Sequence, residues 1–340
     1  MHVLLVKMSS LGDVVHALPA VTDAAAHGVR FDWVVEEAFA AIPGWHPAVR
    51  DVLPIAWRRW RKHLAAQRRP LAAFTHALRS REYDLILDAQ GLLKSAAVTA
   101  LARAPRRAGF SFTSAREPAA AFAYGQRIAV PTGGHAVDRL RSLFAAVFGY
   151  PEPSTAPDFG LRLAPEGRAS RRCLLLHGTT WTSKHWPEAM WQTLAAELAA
   201  GGWELELPWG DEVERQRAER IADAAPGAVV LDALSLAGLG ARIAGAGLVV
   251  GVDSGLSHLA GALGVPTVVV YGSTSAQRTG VRGARVLSLQ SDLHCSPCLA
   301  RECSYRGEPR VWQGEAVSPA CYALLPPERV REEAVRMLTQ

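Results

Sequence analysis

The sequence predicts an α/β protein made of two doubly wound domains. Three observations lead to this prediction. The chain has 340 residues, about twice the length of a typical domain. Apolar segments of strand length alternate with segments of helical periodicity, which is the pattern of parallel sheets covered by helices on both faces. A proline-rich stretch, 150–167, interrupts this alternation once, and the pattern then restarts.

The first half begins with the apolar run "HVLLV" (2–6), which predicts a strand, followed by a helix that ends before Gly28. The alternating segment 30–36 predicts a strand that is only partly buried. A further strand, a turn and a helix follow over residues 83–104. A helix at 135–149, with Leu, Phe and Val at helical spacing, closes this half.

The second half repeats the alternation, starting with a buried strand at 172–178. The segments that follow are predicted as helix 186–202, strand 203–210, helix 212–227, strand 227–232, helix 236–246, strand 247–252, helix 254–264 and strand 265–272. We therefore expect a first domain over 1–155, a linker over 156–170, a second domain over 171–325 and a closing amphipathic helix over 326–340.

The charge balance limits the kinds of partner. Lys and Arg number 37 against 32 Asp and Glu, a formal net charge of +5. This surplus suits phosphate, anionic lipid or nucleic acid and does not choose among them. No apolar run is long and uncharged enough to span a bilayer, and the chain reaches Lys7 too early for a signal peptide, so we expect a cytoplasmic protein. Five cysteines in this length are not the pattern of a secreted disulfide scaffold.

Ligands of doubly wound sheets bind beyond the carboxyl ends of strands, so the residues that follow strands carry most information. Lys7, Ser10 and Asp13 follow the first strand. A carboxylate at this place has two interpretations. Asp13 either caps the helix that begins here, or acts as a general base whose charge state is set by Lys7.

The segment "WRRWRK" (57–62) is a basic cluster with two tryptophans. It fits a solvated edge, a stacking patch for nucleic acid, or a clamp for a phosphorylated and partly apolar acceptor. Arg116 lies in a polar turn further along the chain.

Two loops in the second half suit an anionic ligand. The segment "HGTTWTSKHWP" offers Thr179, Thr180 and Lys184 after a strand, which fits a diphosphate, although threonines also serve in ordinary turns. The segment "VDSGLSH" places Asp253, Ser254 and the following backbone amides at a helix start. There is no Gly–x–Ser–x–Gly elbow, Walker A motif or Gly–x–Gly–x–x–Gly fingerprint, which argues against serine hydrolases, P-loop kinases and standard dinucleotide domains.

Eight motifs occur in a fixed order over nearly the whole chain: "VKMSSLGDVVHALPA", "FDWVVEE", "RRWRK", "DAQGLLKSA", "AREP", "KHWP", "LPWG" and "VDSGLSHLAGAL". With these motifs the chain resembles the lipopolysaccharide heptosyltransferases. The resemblance implies a GT-B fold, with two Rossmann-like domains facing a cleft, the acceptor on the first and the nucleotide sugar on the second. It also implies that the closing helix crosses back to the first domain.

The reaction implied by the resemblance is an inverting, metal-independent transfer of L-glycero-D-manno-heptose from ADP-heptose to the inner Kdo of Kdo2-lipid A. The alternative is the family member that adds the second heptose. A cysteine cluster favours that alternative, and the Trp-rich N-terminal motifs oppose it. No cofactor, no nucleic acid and no obligate protein partner are expected. Peripheral contact with the cytoplasmic face of the inner membrane, through basic and Trp side chains, is expected.

The resemblance also implies roles for individual residues. Asp13 matches the catalytic base, with Lys7 and Ser10 beside it, and Lys184 matches a catalytic and donor-diphosphate contact. Glu214 matches the acid that holds the ribose, and Asp253 would hold heptose hydroxyls. The full expected donor set is Thr179, Thr180, Lys184, Glu214, Asp253, Ser254, Gly255 and His258. The expected acceptor set is Ser10, Arg58, Arg59, Arg61, Lys62 and Arg116.

Four cysteines lie near the C-terminus: Cys295, Cys298, Cys303 and Cys321. A Cys–x2–Cys pair with two further thiols could form a structural zinc site. Only one pair has standard metal spacing, so ordinary thiols with no metal are the favoured interpretation.

Overall fold

The computed structural model describes residues 1–61, 68–167 and 169–339, so Lys62 of the expected acceptor set lies outside the described residues. The chain divides into two compact units, Met1–Arg162 and Leu163–Gln340. The division falls within the stretch 156–170 that we predicted as a linker. No helix of the described ranges is both long and apolar enough to cross a membrane.

The first unit is built on a sheet of six strands in the order β3-β2-β1-β4-β5-β6, all paired in parallel. The strands are β1 His2–Val6, β2 Arg30–Glu36, β3 Val49–Ile55, β4 Leu85–Asp88, β5 Arg107–Phe110 and β6 Gln126–Ile128. The helices are α1 Leu11–Ala26, α2 Ala41–Gly44, α3 Trp57–Trp60, α4 Arg68–Arg79, α5 Leu93–Leu101 and α6 Ala136–Phe148, with 3-10 turns at Glu37–Phe39 and Pro118–Ala123.

The expectation of a partly buried second strand is wrong. Residues Phe31 to Glu36 of β2 are all buried. The polar side chain of Asp32 is accommodated because it pairs with His2 at 3.0 Å and accepts a hydrogen bond from the Tyr83 hydroxyl at 3.1 Å. Polar residues that look exposed in an alternating pattern can therefore belong to a fully covered strand when partners neutralise them.

The second unit repeats the architecture, with parallel strands in the order β12-β11-β10-β7-β8-β9. The strands are β7 Ala169–Leu176, β8 Glu204–Leu207, β9 Val229–Val230, β10 Ala246–Val252, β11 Thr267–Tyr271 and β12 Val286–Gln290, with a small antiparallel pair, β13 Val311–Trp312 and β14 Glu315–Ala316. The helices are α7 Glu188–Ala200, α8 Glu212–Ala222, α9 Leu236–Ala244, α10 Gly255–Ala262, α11 Ala276–Thr279 and α12 Pro327–Thr339, with 3-10 turns at Thr182–Lys184 and Ala320–Leu324.

The C-terminal helix α12 packs on α7 within the second unit. Val330 and Ala334 are buried in the apolar core of this unit. The Arg331 guanidinium lies 3.0 Å from the Glu197 carboxylate of α7. The return of this helix to the first domain stays a prediction.

The two sheets share one topological feature that bears on ligand binding. Strand order reverses between β1 and β4 in the first sheet and between β7 and β10 in the second. Such switch points leave a crevice at the carboxyl ends of the two strands, where ligands of open α/β sheets bind. Asp13 follows β1, and Lys184 and Asp253 follow β7 and β10.

Candidate active site

Asp13 lies in the first turn of α1 and takes part in capping it. Its Oδ2 accepts hydrogen bonds from the backbone N–H and the hydroxyl of Ser10, both at 2.8 Å. The capping interpretation is thus correct, but the capping hydrogen bonds use only Oδ2 of the carboxylate. The other oxygen, Oδ1, lies 3.8 Å from the Lys7 ammonium. The carboxylate is about half-buried, so Oδ1 is available to a ligand at the carboxyl end of β1.

The charge state of Asp13 is set by opposing effects. Burial raises the pKa of the carboxyl group, whereas Lys7, the Ser10 hydrogen bonds and His16 lower it, and the net pKa lies below its ordinary value. Lys7 is itself almost fully buried, which keeps its ammonium close to the carboxylate. Asp13 is therefore ionised at neutral pH, which is the state that a general base requires.

Two residues that follow β4 join this site and were not in the expected set. Gln90 accepts hydrogen bonds from the backbone N–H groups of Met8 at 2.6 Å and Ser9 at 3.3 Å. The Lys94 ammonium donates to the Ser9 hydroxyl at 2.6 Å. Burial and the nearby Arg58 lower the pKa of Lys94, whereas the carboxylates of Glu36 and Asp13 raise it. The sequence held one signal for this: Lys94 is one of only four lysines, and it follows a predicted strand.

The basic cluster divides into residues with different surroundings. Arg58 lies over the Phe39 ring at 5.2 Å, and its backbone N–H donates to Glu36 at 3.0 Å. Arg59 pairs with Glu37 at 3.1 Å. Arg58 and Arg61 lie close enough to Lys94 to act on its pKa, which places them beside the Asp13 site.

One of the two tryptophans of the cluster is not available for stacking. Trp60 is buried and packs edge to face on Phe74, with ring centroids 5.7 Å apart. This removes Trp60 from the surface on which we expected membrane contact or nucleic-acid stacking. Arg116 is exposed in the loop after β5. Its neighbour Ala115 lies close to Gly91: a Cβ atom on Gly91 would be 3.4 Å from the Cα of Ala115. Arg116 thus lies near the turn after β4.

In the second unit, the Lys184 ammonium lies 2.7 Å from Oδ2 of Asp253. His258 Nε2 lies 3.5 Å from Oδ1 of the same carboxylate. Burial raises the pKa of Asp253, but His258 and Lys184 together lower it by more than burial raises it. The net pKa of Asp253 therefore lies well below its ordinary value. The site is therefore an ionised carboxylate held between a cation and an imidazole.

The two threonines lie at the same end of the sheet. The Thr179 hydroxyl donates to the backbone oxygen of Asp253 at 3.1 Å, which ties the two loops together. Thr180 is exposed. Ser254 caps α10 by accepting from the backbone N–H of Ser257 at 3.3 Å, and Gly255 begins the helix. The N-terminus of α10 and the Lys184 ammonium together favour an anion at this position.

Glu214 reaches the same edge from the start of α8. Its Oε2 accepts from the Gly210 backbone N–H at 2.8 Å. A Cβ on Gly178 would lie 2.4 Å from Oε1 of Glu214, so the carboxylate lies directly over the backbone after β7. Any larger residue at position 178 would push the Glu214 carboxylate out of this position.

The loop that carries Lys184 is supported from below. The Tyr322 hydroxyl donates to the Lys184 backbone oxygen at 2.8 Å, and Ser183 donates to the Ala300 oxygen at 2.6 Å. Trp181, which we did not expect, lies under the Lys184 ammonium at 4.7 Å and under Arg301 at 5.6 Å. These contacts fix the position of the ammonium.

The four cysteines line one cavity of about 330 Å³ behind this loop. Cys298 and Cys303 are exposed and Cys321 is buried, and burial raises the pKa of the Cys321 thiol to about 12. Within the ranges that the structure describes, no three His, Cys, Asp or Glu side chains are grouped so that they could hold a metal ion.

Comparison with known proteins identifies the family of the chain. A model of glycosyltransferase family 9 (heptosyltransferase) matches residues 71–308. Lipopolysaccharide heptosyltransferase 1 of Pseudomonas aeruginosa is 47% identical over 99% of this chain and 98% of that protein.

Two solved structures define the fold. Escherichia coli heptosyltransferase WaaC with ADP-2-deoxy-2-fluoro heptose has a TM-score of 0.82 and 38% identity, covering 99% of both chains. Escherichia coli ADP-heptose lps heptosyltransferase II has a TM-score of 0.75 and 20% identity over 100% of this chain and 99% of that one, which shows the fold alone. The two six-stranded parallel sheets have the expected GT-B fold, and the chain belongs to glycosyltransferase family 9, the heptosyltransferases.

Proposed function

We propose that this protein transfers L-glycero-D-manno-heptose from ADP-heptose to the inner Kdo of Kdo2-lipid A, with inversion at the anomeric carbon. The observation that carries the proposal is the pair of charged sites at the two switch points: Asp13 with Lys7 after β1, and Lys184 with Asp253 after β7 and β10. The close relatives named heptosyltransferase 1 support it over the member that adds the second heptose.

The second unit would hold the donor. Lys184, Thr179, Thr180 and the start of α10 supply an ammonium, hydroxyls and backbone amides for the diphosphate. These groups favour the charge that develops on the β-phosphate as ADP leaves, so they stabilise the transition state as well as the substrate. Asp253 would accept hydrogen bonds from heptose hydroxyls, and Glu214 from the ribose.

The first unit would hold the acceptor. Asp13 takes the proton from the attacking Kdo hydroxyl through Oδ1, the oxygen that faces Lys7, while Oδ2 stays bound to Ser10. Arg58, Arg61 and Arg116 supply cations for the carboxylates and phosphates of the acceptor. Ser10 and Lys7 keep the base oriented and ionised, and Arg59, paired with Glu37, lies at the edge of this set. Because the acceptor is a lipid, we place the protein peripherally on the cytoplasmic face of the inner membrane.

The test is a transfer assay with purified protein, ADP-heptose and two acceptors, Kdo2-lipid A and the same lipid already carrying one heptose. Mass spectrometry should find one added heptose on Kdo2-lipid A and none on the heptosylated lipid. Transfer confined to the heptosylated lipid would assign the second-heptose reaction instead. ADP release without a glycosylated product would mean hydrolysis.

A further inference from the structure

Three large apolar side chains of the first unit are exposed around the loop that carries Arg116. Phe122, Leu93 and Phe112 are 75%, 55% and 39% exposed. The rings of Phe112 and Phe122 contact each other edge to face, with centroids 5.0 Å apart. The backbone N–H of Leu93 donates to the Glu117 carboxylate at 2.6 Å, which brings the start of α5 to the same segment. We call these three residues the Phe112–Phe122 surface.

The fold holds these rings outside the core. In the 3-10 turn Pro118–Ala123, Ala120 and Ala121 are buried against Ala96 and Tyr124, so the small residues fill the interior and Phe122 stays on the surface. The Arg127 Nε donates to the Ala121 backbone oxygen at 2.8 Å, and its guanidinium lies over the Phe112 ring at 5.2 Å. The exposed rings are thus fixed on an ordered support.

The surroundings of this surface are strongly basic. Residues 89–137 contain six Lys and Arg against a single acidic residue, Glu117. Arg106, Arg116 and Arg127 are exposed. Arg106 donates to the neutral Gln126 amide at 3.0 Å, and in the described part of the chain none of these three arginines forms an ion pair with a carboxylate. Their charge is therefore available to an anionic partner.

An apolar centre with unpaired arginines around it has the chemistry of a protein surface that lies in the interface of an anionic bilayer. We propose that the Phe112–Phe122 surface docks the first unit onto anionic phospholipid, with the two rings entering the headgroup region. The inference rests on the proposed function, because the acceptor of that function is itself a membrane lipid. Arg116, an expected acceptor contact, belongs to the same loop, so docking would place the acceptor site at the membrane.

The experiment measures co-sedimentation of the full chain with vesicles that contain no Kdo2-lipid A. One set contains phosphatidylethanolamine and phosphatidylglycerol, and the other contains phosphatidylcholine alone. The wild type should bind the anionic vesicles preferentially, and Phe112→Ser with Phe122→Ser should weaken that binding about tenfold or more. Phe112→Leu with Phe122→Leu should keep most of it, since apolar area is preserved. The matched control is Val311→Ser, which removes an exposed apolar side chain of the second unit and should bind like the wild type.

A second readout separates this proposal from the function on which it rests. With a soluble, deacylated Kdo acceptor, the Phe112→Ser/Phe122→Ser variant should transfer heptose at the wild-type rate, which also shows that it is folded. With Kdo2-lipid A in anionic vesicles, its rate should fall. Equal vesicle binding by variant and wild type overturns the docking surface while leaving transfer intact. If the wild type forms dimers in the absence of vesicles and the double variant does not, the surface binds a second copy of the chain. That result overturns the lipid-docking proposal. Failure of the wild type to use any Kdo acceptor refutes the proposed function instead.

Discussion

The Lys184 ammonium and the Asp253 carboxylate lie 2.7 Å apart, on loops that follow the neighbouring strands β7 and β10. The carboxylate is buried, and an unpaired buried carboxylate is strongly unfavourable. Lys184 therefore has two tasks: it stabilises Asp253 in the ligand-free protein, and it presents positive charge to an incoming diphosphate.

Replacement of Lys184 by alanine should weaken ADP-heptose binding by roughly tenfold to a hundredfold, because one charge-assisted contact is lost. The pKa of Asp253 should rise at the same time, since a group that lowers it is removed. Isothermal titration with ADP-heptose measures the affinity. The matched control is Lys94→Ala in the first unit, which should leave donor affinity unchanged. Equal donor affinity for Lys184→Ala and wild type would remove the diphosphate role.

Gly178 has a specific reason to be glycine. A Cβ there would lie 2.4 Å from Glu214 Oε1, so Gly178→Ala should displace that carboxylate while the fold persists. If Glu214 holds the donor ribose, ADP affinity should fall about tenfold, the cost of losing a hydrogen bond to a charged group. Gly133→Ala, at a glycine with open space around it, is the control. An ADP affinity equal to wild type in Gly178→Ala would place the ribose elsewhere.

His46 should make the protein less stable in mild acid. Its Nδ1 accepts from the Ala48 N–H at 3.1 Å and its Nε2 contacts the Thr22 hydroxyl at 2.9 Å, which fits a neutral ring. Burial lowers the pKa of His46 to about 4. The unfolded chain takes up the proton near pH 6.5, well before the folded protein does. The stability contribution is therefore complete above pH 6.5 and is lost as the pH falls towards 4, by at most about 1.4 kcal/mol per pH unit.

Urea unfolding at several pH values between 7.5 and 4.5 measures this loss. His46→Gln should make the dependence of the unfolding free energy on pH shallower, whatever its absolute stability, while His177, whose pKa burial also lowers to about 4, keeps its own contribution. His76→Gln, at an exposed histidine of α4, should leave the dependence as it is in the wild type. The same slope in His46→Gln as in the wild type would show that His46 is not the group responsible.

Lys7 should control the acidic limb of the pH–rate profile. It is the largest of the influences that lower the pKa of Asp13. In Lys7→Met that pKa should rise, so activity should begin to fall at a higher pH on acidification. Lys184→Met reduces the rate through the donor and should leave the limb in place. If the acidic limb of the pH–rate profile stays at the same pH in Lys7→Met, Asp13 is not the group whose titration produces that limb.

The alternation of buried strands and helices was sufficient to predict β1, β2 and β4 of the first sheet and β7 to β11 of the second, because fully covered parallel strands are continuous apolar runs. The edge strands were harder to find. β3 contains Arg50, Asp51 and Pro54, residues that a strand tolerates at the edge of a sheet, where one row of backbone groups faces solvent. Its sequence therefore lacks the pattern of a central strand.

The placement of the expected residues after β1, β7 and β10 follows from a general rule on the carboxyl ends of strands. The contacts of Lys94 with Ser9 and of Tyr322 with Lys184 join segments far apart in the chain. Such contacts depend on how loops pack against each other, so local sequence patterns do not predict them. The surface around Phe112 and Phe122 escaped sequence analysis for the same reason.

Single-turnover heptose transfer by Asp13→Asn tests the central claim most directly. Asparagine still caps α1, so the fold and ADP-heptose binding should persist, but it cannot accept the Kdo proton. The rate of the chemical step should fall by about 10²–10⁴, with donor affinity equal to wild type. A rate within a few-fold of wild type at saturating donor and acceptor would contradict the assignment of Asp13 as the base.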